Sequence, residues 1–348
     1  MLFSNNKERN VIDVGAGFTK VLVGSSSGKK KKNGLLQENI KVIDAFILDT
    51  PKRKITEQDS VIGDDNQFSP DFDALKLIKE IKEKLRLNKI KADQVIMTIG
   101  DRSVIAREMI LPKVDEEKLK GIIRYELQEF LPIDPKRYLI NFKIMGEIKI
   151  EEVEKYKLNV AALPKDEGQF YHNFVNELGK DPFALDISSN SISKLFDQNM
   201  KINGRIQAIE SSTFAYVDIG YSNIKIHIIE KGNLKFTRTL EGGLKFLSMD
   251  GVKTIQETFE SEELVDKWIS SLEQIIKFYT SRESNRKIDC FFIYGGGAMI
   301  PKIEKHFTEL TGIPAEVMQG LEIININKES EEFSLPLYLN AVASLIRR

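Results

Sequence analysis

Two short runs carry the residue types of phosphate and metal-ion chemistry. Ile12-Asp13-Val14-Gly15-Ala16-Gly17-Phe18-Thr19-Lys20 stands near the start, and Val217-Asp218-Ile219-Gly220-Tyr221-Ser222-Asn223-Ile224-Lys225 past the middle. Each has an apolar run, an Asp, a Gly two residues on and a Lys five further, followed by Val21-Leu22-Val23 or Ile226-His227-Ile228-Ile229. A strand ending in Asp-x-Gly turns tightly at the Gly, and backbone N–H groups in such a turn can cradle phosphate oxygens. Asp13 and Asp218 would then hold hydrated Mg²⁺ through water, because this hard ion keeps several waters and takes few direct protein ligands. One such motif alone merely closes a hairpin. Its duplication at constant offset predicts two related domains facing each other across a cleft that clamps a polyphosphate.

A third element belongs with them. Ile288-Asp289-Cys290-Phe291-Phe292-Ile293-Tyr294 reads as a buried strand that breaks into Gly295-Gly296-Gly297, and from Lys302 to Leu310 the apolar residues Ile303, Phe307 and Leu310 have helical spacing. Three glycines let a flat ring or a ribose approach the backbone, and the helix N-terminus behind them adds a positive dipole end. A glycine turn of this kind is also common where a strand and a helix simply pack tightly.

Two Asp-x-Gly hairpins followed by Gly-Gly-Gly before a helix resemble the actin-like ATPase superfamily. The stretch between the hairpins narrows the likeness: Val95-Ile96-Met97-Thr98-Ile99, Val104 to Leu111-Pro112, a helix from Asp115 to Phe130 and Leu131-Pro132-Ile133 resemble the small subdomain inserted in PilM and FtsA. Leu158-Asn159-Val160-Ala161-Ala162-Leu163-Pro164-Lys165 is similar to PilM especially. The resemblance, which covers nearly the whole chain, is to the PilM family of type IV pilus assembly proteins. It implies an α/β, actin-like (ribonuclease H-like) two-domain fold with a small inserted α+β subdomain. The first domain would be 1–90 with 164–210, the insertion 91–163, and the second domain 211–348 with a reduced helical subdomain near 244–285.

It also implies ATP and Mg as cofactors, with Asp13, Gly15, Gly17, Thr19, Lys20, Asp218, Gly220, Ser222, Asn223, Gly295, Gly296 and Gly297 at the nucleotide. The implied function is a cytoplasmic scaffold of the pilus machine, held at the inner face of the membrane by the N-terminal tail of a PilN-like protein. Arg102, Arg124, Gln128 and Phe130 would line the groove for that tail, and the pilus motor ATPases and platform protein are further implied partners. The alternatives are an active actin-like ATPase and an FtsA-like filament former. FtsA ends in a polar tether and an amphipathic helix, whereas Leu335 to Arg348 resembles the terminal domain helix.

The chain departs from the family pattern where activity would be decided. Ala16, Gly17 and Phe18 stand where PilM has hydroxyl residues, and Tyr221 replaces a small residue and would crowd the phosphates. Ser188 follows Asp186-Ile187 where relatives carry a Glu, so a group to orient the attacking water is missing. Only Leu244 to Glu260 separates Gly243 from the long helix beginning near Ser261, so one wall of the adenine pocket would be lost. These departures predict a degenerate ATP cleft, and no catalytic residue is assigned.

Composition and pattern set the frame. In 348 residues, 41% hydrophobic and 30% charged is ordinary for a globular protein, and a net charge of −1 gives no argument for nucleic acid. Cys290 is the single cysteine, which excludes an internal disulfide and implies a reducing compartment. No apolar stretch approaches the roughly 18 residues of a membrane span, and Met1 to Asn10 is too polar for a signal peptide. His172, His227 and His306 have no acidic or cysteine cluster at ligand spacing. Strands are expected at 10–24 and 40–48, joined by a lysine-bearing surface loop from Ser25 to Gly34. Helical stripes are expected at Phe72, Leu75, Ile78, Ile81 and Leu85, at Phe170, Phe174 and Leu178, from Ser191 to Asn199, and at Leu264, Trp268, Leu272, Ile275 and Tyr279.

Overall fold

The first apolar runs fold as an antiparallel meander of β1 (Arg9–Val14), β2 (Phe18–Lys30) and β3 (Leu36–Asp49). The computed structural model describes residues 7–30, 36–53, 68–130, 134–196, 199–246, 262–282, 286–326 and 333–347. Ser25 to Lys30 were expected in a loop but lie in β2. Past an irregularity at Val23/Gly24, the pairing continues through Ser25↔Lys41 and Ser27↔Asn39 to Lys30↔Leu36, so cross-strand hydrogen bonding overrides the local loop composition. Residues 31–35 lie outside the described residues.

Parallel pairing needs a crossover, and α1 (Ala74–Leu87) supplies it between β3 and β4 (Gln94–Ile99). The carboxylate of Asp73 caps α1 by accepting from Lys76 N at 3.0 Å. Its buried stripe is Leu77, Ile78, Ile81 and Leu85, while Leu75 is 74% exposed. Leu75 lies roughly 100° around the helix from the centre of that stripe, so Leu77 takes the place it was expected to fill. β1 then sits between β2, antiparallel, and β4, parallel, and β8 (Asp181–Ile187) closes on β4.

The second meander is β11 (Thr213–Ile219), β12 (Asn223–Glu230) and β13 (Asn233–Glu241). Here α5 (Glu262–Thr280) is the crossover to β14 (Cys290–Tyr294), and after α6 (Ile303–Thr311) comes β15 (Ala315–Val317). Strand order is β3-β2-β1-β4-β8 in the first sheet and β13-β12-β11-β14-β15 in the second, so the duplicated sequence motif marks a duplicated sheet. The first sheet gains an outer strand, β16 (Ile324–Ile326), parallel to β3. The short hairpin β9 (Met200–Ile202) and β10 (Arg205–Gln207) joins the halves in sequence.

Between the sheets lie α4 (Ser188–Leu195) and α7 (Leu335–Ser344). α4 begins directly at the end of β8, three residues earlier than the expected Ser191. A single core joins Val11, Leu22 and Ile96 of the first sheet to Ile192 and Phe196, to Tyr338 and Leu339, and to Phe214, Tyr216 and Phe292 of the second. The rings of Phe196 and Tyr216 stack at 4.1 Å. The two halves expected as separate domains thus share one interior and form one compact unit. The outer face of the second sheet has its own core under α5 and α6, with Val265, Trp268, Ile269, Leu272, Ile276 and Tyr279 on the α5 stripe. Of the segment expected as a reduced helical subdomain, 244–246 form a 3₁₀ turn and 247–261 lie outside the described residues.

The second compact unit comprises Gly100–Glu177 with residues 68–70. Its sheet runs β5 (Ile105–Pro112), β7 (Val153–Pro164), β6 (Tyr138–Ile150), all antiparallel. α2 (Glu116–Phe130) covers one face through Leu119, Ile123 and Leu127 against Met109, Leu111, Leu158 and Val160. The unit was expected at 91–163. It starts later because β4 is an inner strand of the first sheet, and it ends later because α3 (Lys165–Glu177) packs on β6 and β7, with Gly168 against Leu139.

Candidate functional site

Each Asp-x-Gly turn is closed by its glycine in the same way. Gly15 N donates to Phe18 O at 3.1 Å and Gly220 N to Asn223 O at 3.0 Å. A Cβ on Gly15 would lie 2.8 Å from Phe18 O, which demands glycine there, and one on Gly220 would crowd Asn223 O at 3.0 Å. The strand registers then pair Asp13 with Lys20 and Asp218 with Lys225. The repeated spacing of Asp and Lys in the sequence is therefore cross-strand adjacency, twice over.

These four side chains form a charge-balanced cluster. Lys20 Nζ lies 3.4 Å from Asp13 Oδ2. Burial works against the Lys20 ammonium, but the carboxylates of Asp13 and Asp218 outweigh it and hold its pKa above the ordinary lysine value. Burial pushes the Asp218 carboxyl up, opposed by Lys225, Lys20 and a hydrogen bond from Asn340 Nδ2 at 3.1 Å, and the net direction is upward. Lys225, 9% exposed, donates to Ser188 Oγ at 2.8 Å. Ser188, read as the place of a missing carboxylate, thus accepts from this lysine instead.

Other expected contacts are turned inward. Thr19 is buried, its hydroxyl 2.8 Å from that of Thr50, and Thr50 donates to Gly15 O at 2.7 Å while its N–H reaches Gly17 O at 2.9 Å. Asn223 Nδ2 reaches Ser222 Oγ at 3.4 Å. The carbonyls of Gly220 and Tyr221 accept from Leu244 N and Lys245 N at 3.1 and 2.8 Å. The three glycines do not leave open backbone on their Cβ side: a Cβ would meet Asp218 Oδ1 at 2.3 Å from Gly295, Leu244 Cδ1 at 2.7 Å from Gly296, and Ile219 Cγ2 at 2.2 Å from Gly297. They seat the turn after β14 directly on β11. Gly295 also has φ +83°, a conformation that favours glycine.

Between the two turns lies Tyr221. A Cβ on Gly17 would meet its Cγ at 2.4 Å and its Cδ2 at 2.6 Å, and its ring stands edge-on to Phe18 with centroids 6.2 Å apart. Among the described residues no group of three or more His, Cys, Asp or Glu side chains is placed to hold a metal ion. Tyr221 thus rests on Gly17, and the two lysines stand against the carboxylates of Asp13 and Asp218. Thr50 and Asn340 were not anticipated, because each meets the site through a partner distant in sequence.

The residues expected to grip a peptide lie on the other unit. Arg124 and Gln128 are exposed one turn apart on α2 beside Tyr125, which is 62% exposed, and Arg102 is exposed on the turn before β5. Phe130 ends α2, and its side chain lies outside the described residues.

With this geometry in place, comparisons place the chain. No curated protein matches it. Among solved structures, it is similar to a chain of a PilM–PilN type IV pilus biogenesis complex, with a TM-score of 0.74 and 16% identity over 98% of both chains. Weaker likenesses are to ethanolamine utilization protein EutJ from Carboxydothermus hydrogenoformans, with a TM-score of 0.48 and 12% identity over 97% of this chain and 89% of that one. A Bacteroides thetaiotaomicron protein with actin-like ATPase fold and unknown function has a TM-score of 0.45 and 11% identity over 100% and 98%. The fold is shared with the chain of the PilM–PilN complex and has several sheets in a mixed α/β arrangement. The family model for type IV pilus assembly protein PilM matches residues 44–343, and the chain belongs to that family.

Proposed function

We propose that this protein is a scaffold of the type IV pilus assembly machinery that binds the N-terminal tail of a PilN-like inner-membrane protein. The observation that carries this reading is the end-to-end likeness to the chain from the PilM–PilN complex, in a member of the PilM family. The inserted unit is the proposed grip: α2 buries one stripe in its own core and leaves Arg124, Tyr125 and Gln128 facing outward. An aromatic beside a guanidinium and an amide suits a short tail whose apolar anchors need a few fixed polar contacts. Among the described residues no helix is long and apolar enough to cross a membrane, and in this reading the partner tail holds the protein at the inner face. Motor ATPases and a platform protein are the further partners it expects.

The ATP cleft is read as degenerate. Tyr221 on Gly17, the internally paired Asp13, Lys20, Asp218 and Lys225, and Ser188 engaged by Lys225 all support that reading. The test is calorimetric titration with a synthetic N-terminal peptide of a PilN-like partner and, separately, with Mg-ATP. The peptide is expected to bind at about micromolar affinity. Arg124→Glu with Gln128→Ala is expected to weaken it at least about tenfold, while Mg-ATP gives no heat at millimolar concentration. Peptide binding that survives the double substitution removes the proposed grip; no peptide binding at all removes the scaffold reading.

A further inference from the structure

We infer that Tyr221 is a built-in occupant of the place between the two Asp-x-Gly turns, a side chain that holds the cleft shut where an open pair of turns would take a polyphosphate. The inference deepens the degenerate-cleft reading above and rests on it. The first turn runs Gly15-Ala16-Gly17, and the Cβ side of Gly17 faces the second turn. The space a Cβ would take there is filled from the second turn, with three atoms of Tyr221, Cβ, Cγ and Cδ2, at 2.9, 2.4 and 2.6 Å. Because its own Cβ is among them, rotation about χ1 does not clear Gly17. The ring supplies the two closest atoms, Cγ and Cδ2, and Phe18 flanks it edge-on.

The charges around the ring are balanced within the protein. Here two carboxylates meet two lysines, and Lys20 lies within the field of both Asp13 and Asp218. The phenol ring brings bulk and no charge, and none is needed. The main chain around the second turn is engaged as well, with Gly220 and Tyr221 carbonyls bound by Leu244 and Lys245 N–H groups, so the turn carrying the ring is fixed. Removing the ring opens room for anions, but Lys20 must then turn from Asp13 to meet them, so the recovered affinity is modest.

The experiment compares wild type, Tyr221→Gly and Tyr221→Phe by calorimetry with Mg-ATP and with magnesium pyrophosphate, after thermal melts confirm that each is folded. Tyr221→Gly is expected to bind both at least about tenfold more tightly than wild type, equivalent to about 1.4 kcal/mol, and Tyr221→Phe to behave as wild type because the ring and not the hydroxyl does the closing. If Tyr221→Gly does not fold, Tyr221→Ser carries the same comparison. Folded Tyr221→Gly or Tyr221→Ser that binds neither ligand overturns the inference and leaves the degenerate cleft standing. Wild type that binds Mg-ATP as tightly as the glycine variant overturns both.

Discussion

Gly17→Ala tests the packing on which the closed cleft depends, with a magnitude that follows from the geometry. The new methyl would meet Tyr221 at 2.4 to 2.9 Å, where ordinary carbon contacts exceed 3.4 Å. Gly17 is not among the glycines with positive φ, so alanine adds no backbone strain there. Overpacking of this kind costs about 1–3 kcal/mol, offset by about 0.4–1 kcal/mol from the stiffer unfolded chain. The net expectation is a loss of about 1–2 kcal/mol, seen as a melting temperature lowered by about 1–3 °C. In a Tyr221→Gly background the clash is gone and only the unfolded-state term remains, so the same substitution should be neutral or stabilising by up to about 1 kcal/mol. Urea titrations of the four proteins give the coupling directly. A coupling energy below about 0.5 kcal/mol, the range of independent sites, would refute the placement of Tyr221 on Gly17.

Three further outcomes are expected. Glu167 is 5% exposed, its Oε2 has no hydrogen-bond partner among the described residues, and burial raises its carboxyl above the usual range despite a hydrogen bond from Ser103. A raised folded pKa gives stability that is present below the unfolded value and lost as pH rises through the folded one. Glu167→Gln should therefore be more stable than wild type at pH 8 and equal to it near pH 4; parallel urea midpoints across that range would contradict this. The Cys290 thiol, pushed up to about 12 mainly by burial, should react with a thiol reagent only after unfolding, and rapid labelling of native protein would count against the β14 packing. Asp186 has a side chain 2% exposed and is held by Lys194 and, at 3.1 Å, by Arg347. Lys194→Met should cost about 3 kcal/mol, and a change below about 0.5 kcal/mol in denaturant titration would show that Arg347 alone suffices.

What could be read from the sequence was the duplicated frame. Asp13 with Lys20 and Asp218 with Lys225 are cross-strand pairs because a strand turn of fixed length sets their spacing. The helical stripes of α1 and α5 were also legible, although Leu75 and Leu77 exchange places because apolar spacing alone does not fix the rotation of a helix. The continuation of β2 through Ser25 to Lys30 was not legible, because those residues are held as strand by partners in β3 and not by their own propensity. Nor was the role of Gly295 to Gly297. A missing Cβ looks the same in sequence whether a ligand or Ile219 fills the space. Thr50 and Asn340 reach the site from β3's end and from α7, and no local pattern announces such distant partners. Tyr221 was visible as bulk in the wrong place, but its seat on Gly17 depends on how the two halves close.

The parallel pairing of Ile324–Ile326 with Ile40–Val42, together with α7 lying on β1, β2 and β4, has a consequence for how the chain comes off the ribosome. The amino-terminal sheet is synthesised early, yet among the described residues the strand that pairs its outer edge and the helix α7 that packs on its inner face are made near the end. Until then β3 lacks this partner and the face carrying Val11 and Leu22 lacks part of its cover. Contacts that span most of the chain also make folding slow. The amino-terminal half expressed alone is therefore expected to aggregate.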